Sequence, residues 1–376
     1  MALLSYSDFL YQCRIYDSSG NLVGLYDDLV ALQYKKIVNG IGMAVLTVPE
    51  THAIISQLAD DLLLNIYFTY RPLTGGEITD QQDFVGLYRD KQIGTDQDSN
   101  VHYLLYFMGS IEVLSRNIVA YPAGTNLRSQ FTTRAIATIS KEVVQYNCTS
   151  LATTGNSRLR DANVVRGLVA TLGSGRDPTT STINYSCAYR NVLEVVQELA
   201  QLGGYDFDVV FDKASYGNSL YYLQYDLLGT DRSTTLVFDL NLDNIQGANL
   251  NGERLKEKTV AIVGGQGQGS SRTTVIRTGT NQSASNDYEI FVDARSNTST
   301  ELNSIGDAKM AELEARTSID VDIAPSSGYV YRRDYGLGDL VTVSFADTLV
   351  VKKINVVEVA FDQDQNVKIR IELVDA

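Results

Sequence analysis

The most conspicuous residues that could do chemistry form a glycine cluster. They are Val263-Gly264-Gly265-Gln266-Gly267-Gln268-Gly269-Ser270-Ser271-Arg272. A dinucleotide-binding loop needs GxGxxG between a strand and a helix, and a phosphate-binding P-loop needs Gly-Lys-Ser or Gly-Lys-Thr. Neither spacing is present, and the β-branched residues 273–276 that follow predict a strand. We therefore expect the glycines to allow a sharp, positive-φ reversal between strands, one that could press against a neighbouring subunit.

Paired carboxylates are a second candidate for chemistry. The pairs are Asp27-Asp28, Asp60-Asp61, Asp206 with Asp208, Asp320 with Asp322, and Asp362 with Asp364. A glycosidase needs two carboxylates about 5–10 Å apart in a cleft, usually beside aromatic platforms. The sequence has no Trp, and the segment 362–366 lacks the central Gly and closing Glu of a calcium-binding EF-hand loop. We expect these carboxylates to be solvated turn residues.

Cysteine and histidine are sparse. Cys13, Cys148 and Cys187 lie far apart without a CxxC pair, which predicts small buried side chains rather than disulfides or a zinc site. His52 and His102 have no second histidine or cysteine at ligand spacing, so both are expected to be ordinary loop or strand residues. The sequence therefore predicts no cofactor, no metal site and no enzymatic activity.

Composition and length describe an ordinary folded chain. The 376 residues are 44% hydrophobic and 20% charged, which is typical of a soluble protein with two or three domains. No apolar run approaches the roughly 18 residues of a membrane span, and residues 1–8 lack the features of a secretory signal. The net charge of −14 disfavours nucleic-acid binding, which needs a concentrated basic surface.

The charge is distributed unevenly. Residues 1–115 carry 14 acidic and 6 basic groups, and residues 191–376 carry 28 and 16. Residues 116–190, by contrast, carry 3 acidic and 9 basic groups, so the middle of the chain differs in kind from its ends.

Short apolar runs and turn residues predict the secondary structure that positions these charged and polar side chains. Residues 10–50 alternate such runs with turns at 18–21 and 39–40, which predicts β-hairpins, and residues 60–70 and 84–115 continue the pattern. The chain also contains 23 tyrosines, which are typical both of ordinary β packing and of an extensive subunit interface.

Three helices are predicted farther along. Thr132 or Thr133 is expected to cap the first, and the second runs from about Arg190 to Leu202, where Gly203-Gly204 ends it. The third is expected near 301–315, among strands that continue to the end of the chain.

The predicted fold class is therefore mainly β with α+β. Its domains are a β domain at 1–115, an α/β domain at 116–245 and a second β domain at 246–376.

Several motifs resemble those of one family. Near the start they are Tyr16-Asp17-Ser18-Ser19-Gly20-Asn21-Leu22-Val23-Gly24-Leu25-Tyr26-Asp27-Asp28, Leu32-Gln33-Tyr34, Asn39-Gly40-Ile41-Gly42 and Leu46-Thr47-Val48-Pro49. Later come the glycine cluster 263–272, Phe291-Val292-Asp293-Ala294-Arg295 and Tyr335-Gly336-Leu337-Gly338-Asp339-Leu340-Val341-Thr342-Val343. In this order and across nearly the whole chain, they resemble the siphophage tail hub proteins, which form the baseplate hub at the tail tip.

The resemblance implies an architecture of two tube-like antiparallel β-barrel domains flanking the α/β domain. It also implies turn or interface roles for the positions that carry it, which are Gly20, Gly24, Asn39, Gly40, Gly42, Gly264, Gly265, Gly267, Gly269, Arg272, Asp293, Arg295, Gly338 and Asp339. Many relatives carry a further C-terminal part that degrades cell wall or binds receptors. The chain ends at Ala376, about where the tube-like unit should end, so we expect no such part.

The function implied by the resemblance is that of a structural virion protein. A homotrimer would continue and close the tail tube, gate DNA passage on host contact, and meet a distal tail ring protein, the tape-measure protein and a fibre or receptor-binding protein. Acidic groups on the channel wall would let genome DNA slide without binding, with the basic segment 116–190 outside the channel. A glycan-binding or glycan-hydrolysing β protein is the alternative, and a contractile-tail hub is a closely related one.

Overall fold

The computed structural model describes most of the chain. The described residues are 9–70, 78–95, 99–120, 129–149, 151–152, 168, 178–212, 219–295, 297, 299, 301–323, 329–345, 348–362 and 366–375. Four arginines of the predicted basic segment, Arg158, Arg160, Arg166 and Arg176, lie outside these ranges, as does Asp364.

The described part of the chain is mainly β, in agreement with the predicted fold class. Its strands are β1 Phe9–Tyr16, β2 Leu22–Tyr26, β3 Ala31–Ile37, β4 Met43–Pro49, β5 Leu63–Tyr70, β6 Ile78–Thr95, β7 Val101–Gly109, β8 Gln130–Ala135, β9 Thr182–Ser186, β10 Asp206–Asp212, β11 Ser219–Tyr225, β12 Val237–Asp239, β13 Ile245–Glu253, β14 Val260–Gly264, β15 Thr274–Thr278, β16 Glu289–Asp293, β17 Arg316–Ile323, β18 Leu340–Phe345, β19 Thr348–Phe361 and β20 Val367–Asp375. Its α-helices are α1 Glu112–Ser115, α2 Ile136–Cys148, α3 Val192–Gly203 and α4 Leu302–Glu312.

The helices follow the sequence prediction with one correction. The side chain of Asn191 accepts a hydrogen bond from the Leu193 backbone to begin α3, and Gly204, with φ of 64°, ends it. The first helix begins later than predicted, because Thr133 lies within β8, where its backbone donates to the side chain of Asn184 on β9. After an irregularity at residues 132–133, where Thr133 has a positive φ of 47°, β8 pairs with β9 again at Arg134 and Ala135, and α2 begins at the next residue.

The two ends of the chain build one large sheet. Its strand order is β13-β17-β20-β19-β3-β4-β7-β6-β5-β1-β2, with β18 paired to β19 and β12 to β18. Strand β19 pairs with β3 from Val356 to Phe361, so this antiparallel contact joins the first part of the chain to the last. The division of these strands into two barrels stays a prediction.

Alternation along the strands explains why this sheet has a core face and an outward face. In β20, Val367, Ile369, Ile371 and Leu373 are buried, while the residues between them are half-buried or exposed. Side chains of this kind from both ends of the chain form a single hydrophobic cluster. Burial of apolar surface at about 25 cal/mol per Å² is the main force that holds the sheet against this core.

The middle of the chain forms a second core. Helices α2 and α3 pack together, and the apolar face of α3 (Val192, Val195, Val196 and Leu199) is fully buried with the hairpin β10–β11. Tyr16, Leu63 and Leu87 of the large sheet belong to the same cluster, so the middle of the chain is packed onto that sheet.

A small module projects from the C-terminal half. Its three strands lie in the order β15-β14-β16, and α4 covers one face through Leu302 and Met310. Gly306 lets the helix approach, because a side chain there would collide with Arg277 and Val263. We call residues 260–312 the three-stranded module.

Candidate functional site

A β-bulge in β6 directs a carboxylate into the large core. Along β5, the partner of Ile66 is Phe84 and the partner of Tyr67 is Gln82, so Asp83 is the extra residue that β5 does not match. A bulge of this kind re-aims a side chain. The Asp83 side chain is therefore fully buried (0% exposed) rather than outward-facing.

Asp83 is surrounded by donors that come from distant parts of the chain. The Lys36 ammonium lies 2.8 Å from Oδ1, and the Tyr34 hydroxyl donates to Oδ2 at 2.6 Å. From the other end of the chain, the Tyr331 hydroxyl donates to Oδ1 at 3.0 Å and Arg332 Nε lies 3.3 Å away. We call these five residues the Asp83 cluster. It ties the loop after β17 to β3 and β6.

The charges of the cluster determine its protonation. Burial by itself would raise the pKa of Asp83, but Lys36 and Arg332, together with the hydrogen bonds, lower it below its ordinary value. The same burial, beside a carboxylate, raises the pKa of Tyr34 and Tyr331. The stable state is thus an ionised carboxylate that accepts hydrogen bonds from two neutral tyrosines.

A second joint links the β3–β4 turn to the middle of the chain. Asn39 has a positive φ of 55°, and its side-chain oxygen accepts a hydrogen bond from the Phe207 backbone at 2.7 Å. Next to it, the buried Asp206 carboxylate binds Lys353 of β19 at 2.6 Å. Gly42, in the same turn, is required because a side chain there would collide with the backbone oxygen of Lys35.

A third joint crosses two loops. Gly338 has a φ of 85°, and a side chain at this position would lie 2.7 Å from the Gly229 nitrogen, so the two backbones are in contact. The Asp339 carboxylate accepts from the backbone of Thr230 at 2.6 Å and from Arg232 Nε at 2.9 Å. Asp339 therefore anchors the end of the middle segment to β18.

The glycine cluster lies in the reversal between β14 and β15 of the three-stranded module. Gly267 and Gly269 have positive φ angles of 102° and 54°. Arg272 donates to the backbone oxygens of Gly264 at 2.8 Å and Gly265 at 3.1 Å, and its Nη2 lies 2.6 Å from Asp293. The turn is thus closed by the Arg272 side chain.

Arg295 also pairs with Asp293, at 2.5 Å from Oδ2. Hydrogen bonds from Arg295 and then Arg272 lower the pKa of Asp293 to about 2. Because the Asp293 side chain is 41% exposed, solvent screens these interactions.

The outward face of the large sheet carries charges of alternating sign. Asp322, Arg370, Glu358 and Lys35 stand opposite one another on four adjacent strands. Lys35 pairs with Glu358 at 2.9 Å, and Arg370 pairs with Asp320 at 3.3 Å. These cations are paired, so this row does not form a concentrated basic surface.

A cleft of about 1110 Å³ lies between α3, α4, β19 and the end of β20. Its carboxylates include Glu194, Glu198 and Glu312, but its tyrosine, Tyr205, is buried. A glycosidase site would need an exposed aromatic platform beside a carboxylate pair. The cleft does not have this arrangement among its described lining residues.

The predicted site residues lie in four places and do not form one site. Gly20 and Gly24 belong to the β1–β2 hairpin, Asn39 to Gly42 to the β3–β4 turn, the cluster from Gly264 with Asp293 and Arg295 to the three-stranded module, and Gly338-Asp339 to the crossing of two loops. Each group forms a turn or a joint between segments.

Three of the paired carboxylates are not the solvated turn residues that the sequence predicted. Asp206 was expected to be solvated, but it is buried against Lys353, and Asp320 and Asp322 lie in β17 and not in a turn. The three cysteines are buried and do not form disulfides, as predicted. Among the described residues no group of three or more His, Cys, Asp or Glu side chains is placed to hold a metal ion.

His52 is an ordinary loop residue, as expected. His52 precedes the 3₁₀ turn Ala53–Gln57, and its Nδ1 accepts from the Ile54 backbone while Nε2 lies 3.1 Å from Asp28. Within the described ranges, the model contains no helix long and apolar enough to cross a membrane.

Sequence reasoning missed the Asp83 cluster altogether. The four partners of Asp83 are all more than forty residues from it in the sequence, and Asp83 follows two glutamines in an ordinary polar stretch. No spacing rule finds it, because the bulge that turns Asp83 inward is a property of the pairing between β5 and β6.

Comparison with known proteins identifies the fold. The tail protein from Neisseria meningitidis MC58 aligns over 98% of this chain and 96% of its own, with a TM-score of 0.56 and 9% identity. The 43 kDa tail protein of prophage MuSo2 from Shewanella oneidensis aligns over 97% of both chains, with a TM-score of 0.54 and 11% identity. The prophage tail protein gp18 from Listeria monocytogenes EGD-e covers 97% of this chain, and this chain covers 94% of gp18, with a TM-score of 0.50 and 10% identity.

Sequence comparison identifies the family. No curated protein matches the chain by sequence. Residues 12–373, however, match the family described as Siphovirus ReqiPepy6 Gp37-like protein, which confirms the resemblance to a siphophage tail family. The solved structures named above are tail proteins. The chain therefore belongs to the Siphovirus ReqiPepy6 Gp37-like protein family and has the fold of phage tail proteins.

Proposed function

We propose that this chain is a structural virion protein that forms a trimeric hub at the tail tip and there continues and closes the tail tube. The observation that carries the proposal is the family match over residues 12–373, which takes in both β regions and the middle segment together. The tail-protein fold over 98% of the chain supports it. The β regions 1–115 and 246–376 would serve as the two tube-like domains.

The continuity of the large sheet supports a role in the wall of the tail tube. A single sheet that joins both β regions through β3 and β19 presents one continuous outward face. Three copies of such a face would surround a channel. The cores on the other side would hold each copy rigid.

The charge of the wall supports passage of DNA without specific binding. A protein that binds duplex DNA neutralises phosphates with unpaired lysine and arginine side chains. In the row across the outward face, Lys35 and Arg370 are instead paired with carboxylates, and the net charge of the whole chain is −14. DNA would therefore slide past this surface, and the basic segment 116–190 would lie outside the channel.

By analogy with a tail-tip hub, its partners would be a distal tail ring protein, the tape-measure protein and a fibre or receptor-binding protein. Opening of the channel on host contact would release the genome. A hub in a contractile tail would use the same assembly and differ only in the tail it serves.

The first experiment is the mass of the purified chain in solution, measured by light scattering over a concentration series. A hub predicts about 124 kDa, three times the chain mass of 41.4 kDa, or a monomer that shifts to this mass as concentration rises. Imaging of the trimer by electron microscopy then tests for a ring with a central channel.

A stable dimer would contradict the proposal, because two copies do not close a threefold tube. A chain that stays monomeric at high concentration would contradict it as well. Nothing in the cleft between α3 and α4 favours the glycan alternative, so we do not propose it as a second function.

A further inference from the structure

We propose that the chain modifies itself at the joint beside Asn39, where the Lys353 amine forms an isopeptide bond with the Asn39 side chain and ammonia leaves. The site consists of an amide, an amine and a carboxylate that come from three parts of the fold. Asn39 lies in the β3–β4 turn, Asp206 begins β10, and Lys353 lies in β19. All three belong to one chain, so the inference does not depend on the oligomeric state of the proposed hub.

Asp206 contacts both groups that would react. Its Oδ1 accepts a hydrogen bond from Lys353 Nζ at 2.6 Å and another from Asn39 Nδ2 at 3.3 Å. Its Oδ2 lies 2.7 Å from the same lysine nitrogen. One carboxylate thus brings the amine and the amide together. A lysine amine becomes a good nucleophile when an adjacent base removes its proton, and Asp206 is placed to be that base.

The backbone explains why the two side chains can meet. Strand β19 is the antiparallel neighbour of β3, and the Val38 backbone donates to the Asn355 oxygen at 2.9 Å. Asn39 and Lys353 lie just beyond this contact, on the two adjacent segments. A lysine side chain therefore has to cross only from one strand to the next, which is within the reach of a long side chain.

The Asn39 amide is both held and polarised. Its Oδ1 accepts a hydrogen bond from the Phe207 backbone at 2.7 Å. A backbone N–H in this position stabilises the negative charge that develops on the oxygen when Cγ is attacked. Asp206 is fixed in turn by the Leu228 backbone, which donates to Oδ2 at 2.8 Å. Groups that are oriented in this way react much faster than the same groups free in solution.

Burial of the site favours the proton transfer that starts the reaction. The Asp206 side chain is 4% exposed and that of Lys353 is 18% exposed. Charged groups are costly to bury, and a proton that passes from the lysine to the carboxylate removes two buried charges at once. Asn39, Asp206 and Lys353 also line the cleft between α3 and α4, which gives ammonia a way out.

The reaction balances without a further reagent. A proton passes from the Lys353 ammonium to the Asp206 carboxylate, and the free amine attacks Asn39 Cγ to form the new C–N bond. Asp206 gives its proton to Nδ2 of Asn39 and takes a second one from the attacking nitrogen, and the Cγ–Nδ2 bond breaks. The second proton leaves with ammonia as ammonium. The products are a secondary amide, an ammonium ion and the original carboxylate, and nothing is oxidised or reduced.

The test is the mass of the full wild-type chain, measured by mass spectrometry after unfolding. We expect a mass lower than that of the sequence by one ammonia. After digestion with trypsin, the peptide that contains Asn39 should be joined to the peptide that contains Lys353. A folded chain that keeps the full mass of its sequence after prolonged incubation at neutral pH overturns the proposal.

Two substitutions test the role of each group. Lys353→Arg keeps a cation beside Asp206 but removes the nucleophile, and Asp206→Asn keeps the shape but removes the base. Both should abolish the joined peptides. Lys309→Arg is the matched control, because Lys309 lines the same cleft but pairs with Glu312, and it should keep the bond. If a variant fails to fold, the peptides of the wild-type chain decide, since they require no substitution.

Two other reactions have different signatures. Asn39 precedes Gly40, and an Asn-Gly pair can lose ammonia by closing onto its own backbone. That loss would persist in Lys353→Arg and would join no peptides. A direct amide between Lys353 and Asp206 would instead lose one water. Either result overturns the Lys353–Asn39 bond and leaves the hub intact, because the mass of the assembly tests the hub separately.

Discussion

Asp83 and Asp293 are both carboxylates that pair with two cations, Asp83 with Lys36 and Arg332 and Asp293 with Arg272 and Arg295. The two carboxylates differ in burial. The Asp83 side chain is 0% exposed inside the largest core, whereas Asp293 is 41% exposed on the three-stranded module. In the first, removing a cation leaves the Asp83 charge without water to replace it. In the second, water replaces a lost partner. The comparison teaches that burial, and not the number of ion pairs, determines what such a group contributes.

The largest expected effect comes from Asp83→Ala. The substitution removes the buried carboxylate that Lys36 and Arg332 share, and breaking a buried pair in this way costs about 3–5 kcal/mol. Urea unfolding measures the loss of unfolding free energy. Asp90→Ala, an exposed position on the same strand, is the control. A loss for Asp83→Ala no greater than that for the control would remove the distinction between the two clusters.

An intermediate effect is expected from Arg272→Ala. The side chain is 19% exposed and donates to the oxygens of Gly264 and Gly265 as well as to Asp293, so the β14–β15 turn loses charged hydrogen bonds worth about 1.5–3 kcal/mol. Hydrogen exchange of the backbone amides of residues 260–293 measures this loss of stability within the three-stranded module.

Arg295→Ala is the matched control for that experiment. It removes a cation from the same Asp293, but the Arg295 side chain is 67% exposed and makes no hydrogen bond to the glycine turn. Its exchange rates should stay close to those of the wild type. Equal effects of the two substitutions would show that the carboxylate, and not the turn, is what the arginines support.

The smallest effect is a pH dependence of the module. The pKa of Asp293 is lowered to about 2 from an ordinary 3.8, so its contribution to folding is complete above pH 3.8 and is lost as the pH falls towards 2. The difference in thermal unfolding midpoint between the wild type and Asp293→Asn should therefore be greatest above pH 4 and shrink below it. A difference that stays constant down to pH 2 would mean that the charge of Asp293 does not matter.

Local chemistry allowed much of the secondary structure to be predicted from the sequence. The turn at Asn39-Gly40, the stop at Gly203-Gly204 and the reversal after Gly264 follow from what glycine and asparagine backbones can adopt. The first helix was predicted two or three residues too early, because the pairing of β8 with β9 continues to Ala135.

The joints between segments could not be predicted in this way. Asp206 was expected to be solvated like the other paired carboxylates, but Lys353, which holds it, lies 147 residues away. A contact of this length depends on the approach of β10 to β19, and no local pattern encodes it. The same is true of Asp83 and Tyr331, which are 248 residues apart.

By itself, the sequence determined that this protein is mainly β, that it carries no dinucleotide or P-loop motif, and that it resembles a siphophage tail family. These properties depend on residue type, on alternation and on short motifs, which act over a few residues. Only the tertiary structure decided that both ends of the chain share one sheet, that Asp83 turns inward at a bulge, and that β2 and β13 are left as edges. Strand order and register depend on the packing of the whole core, because a shift of one residue sends every side chain of a strand to the opposite face.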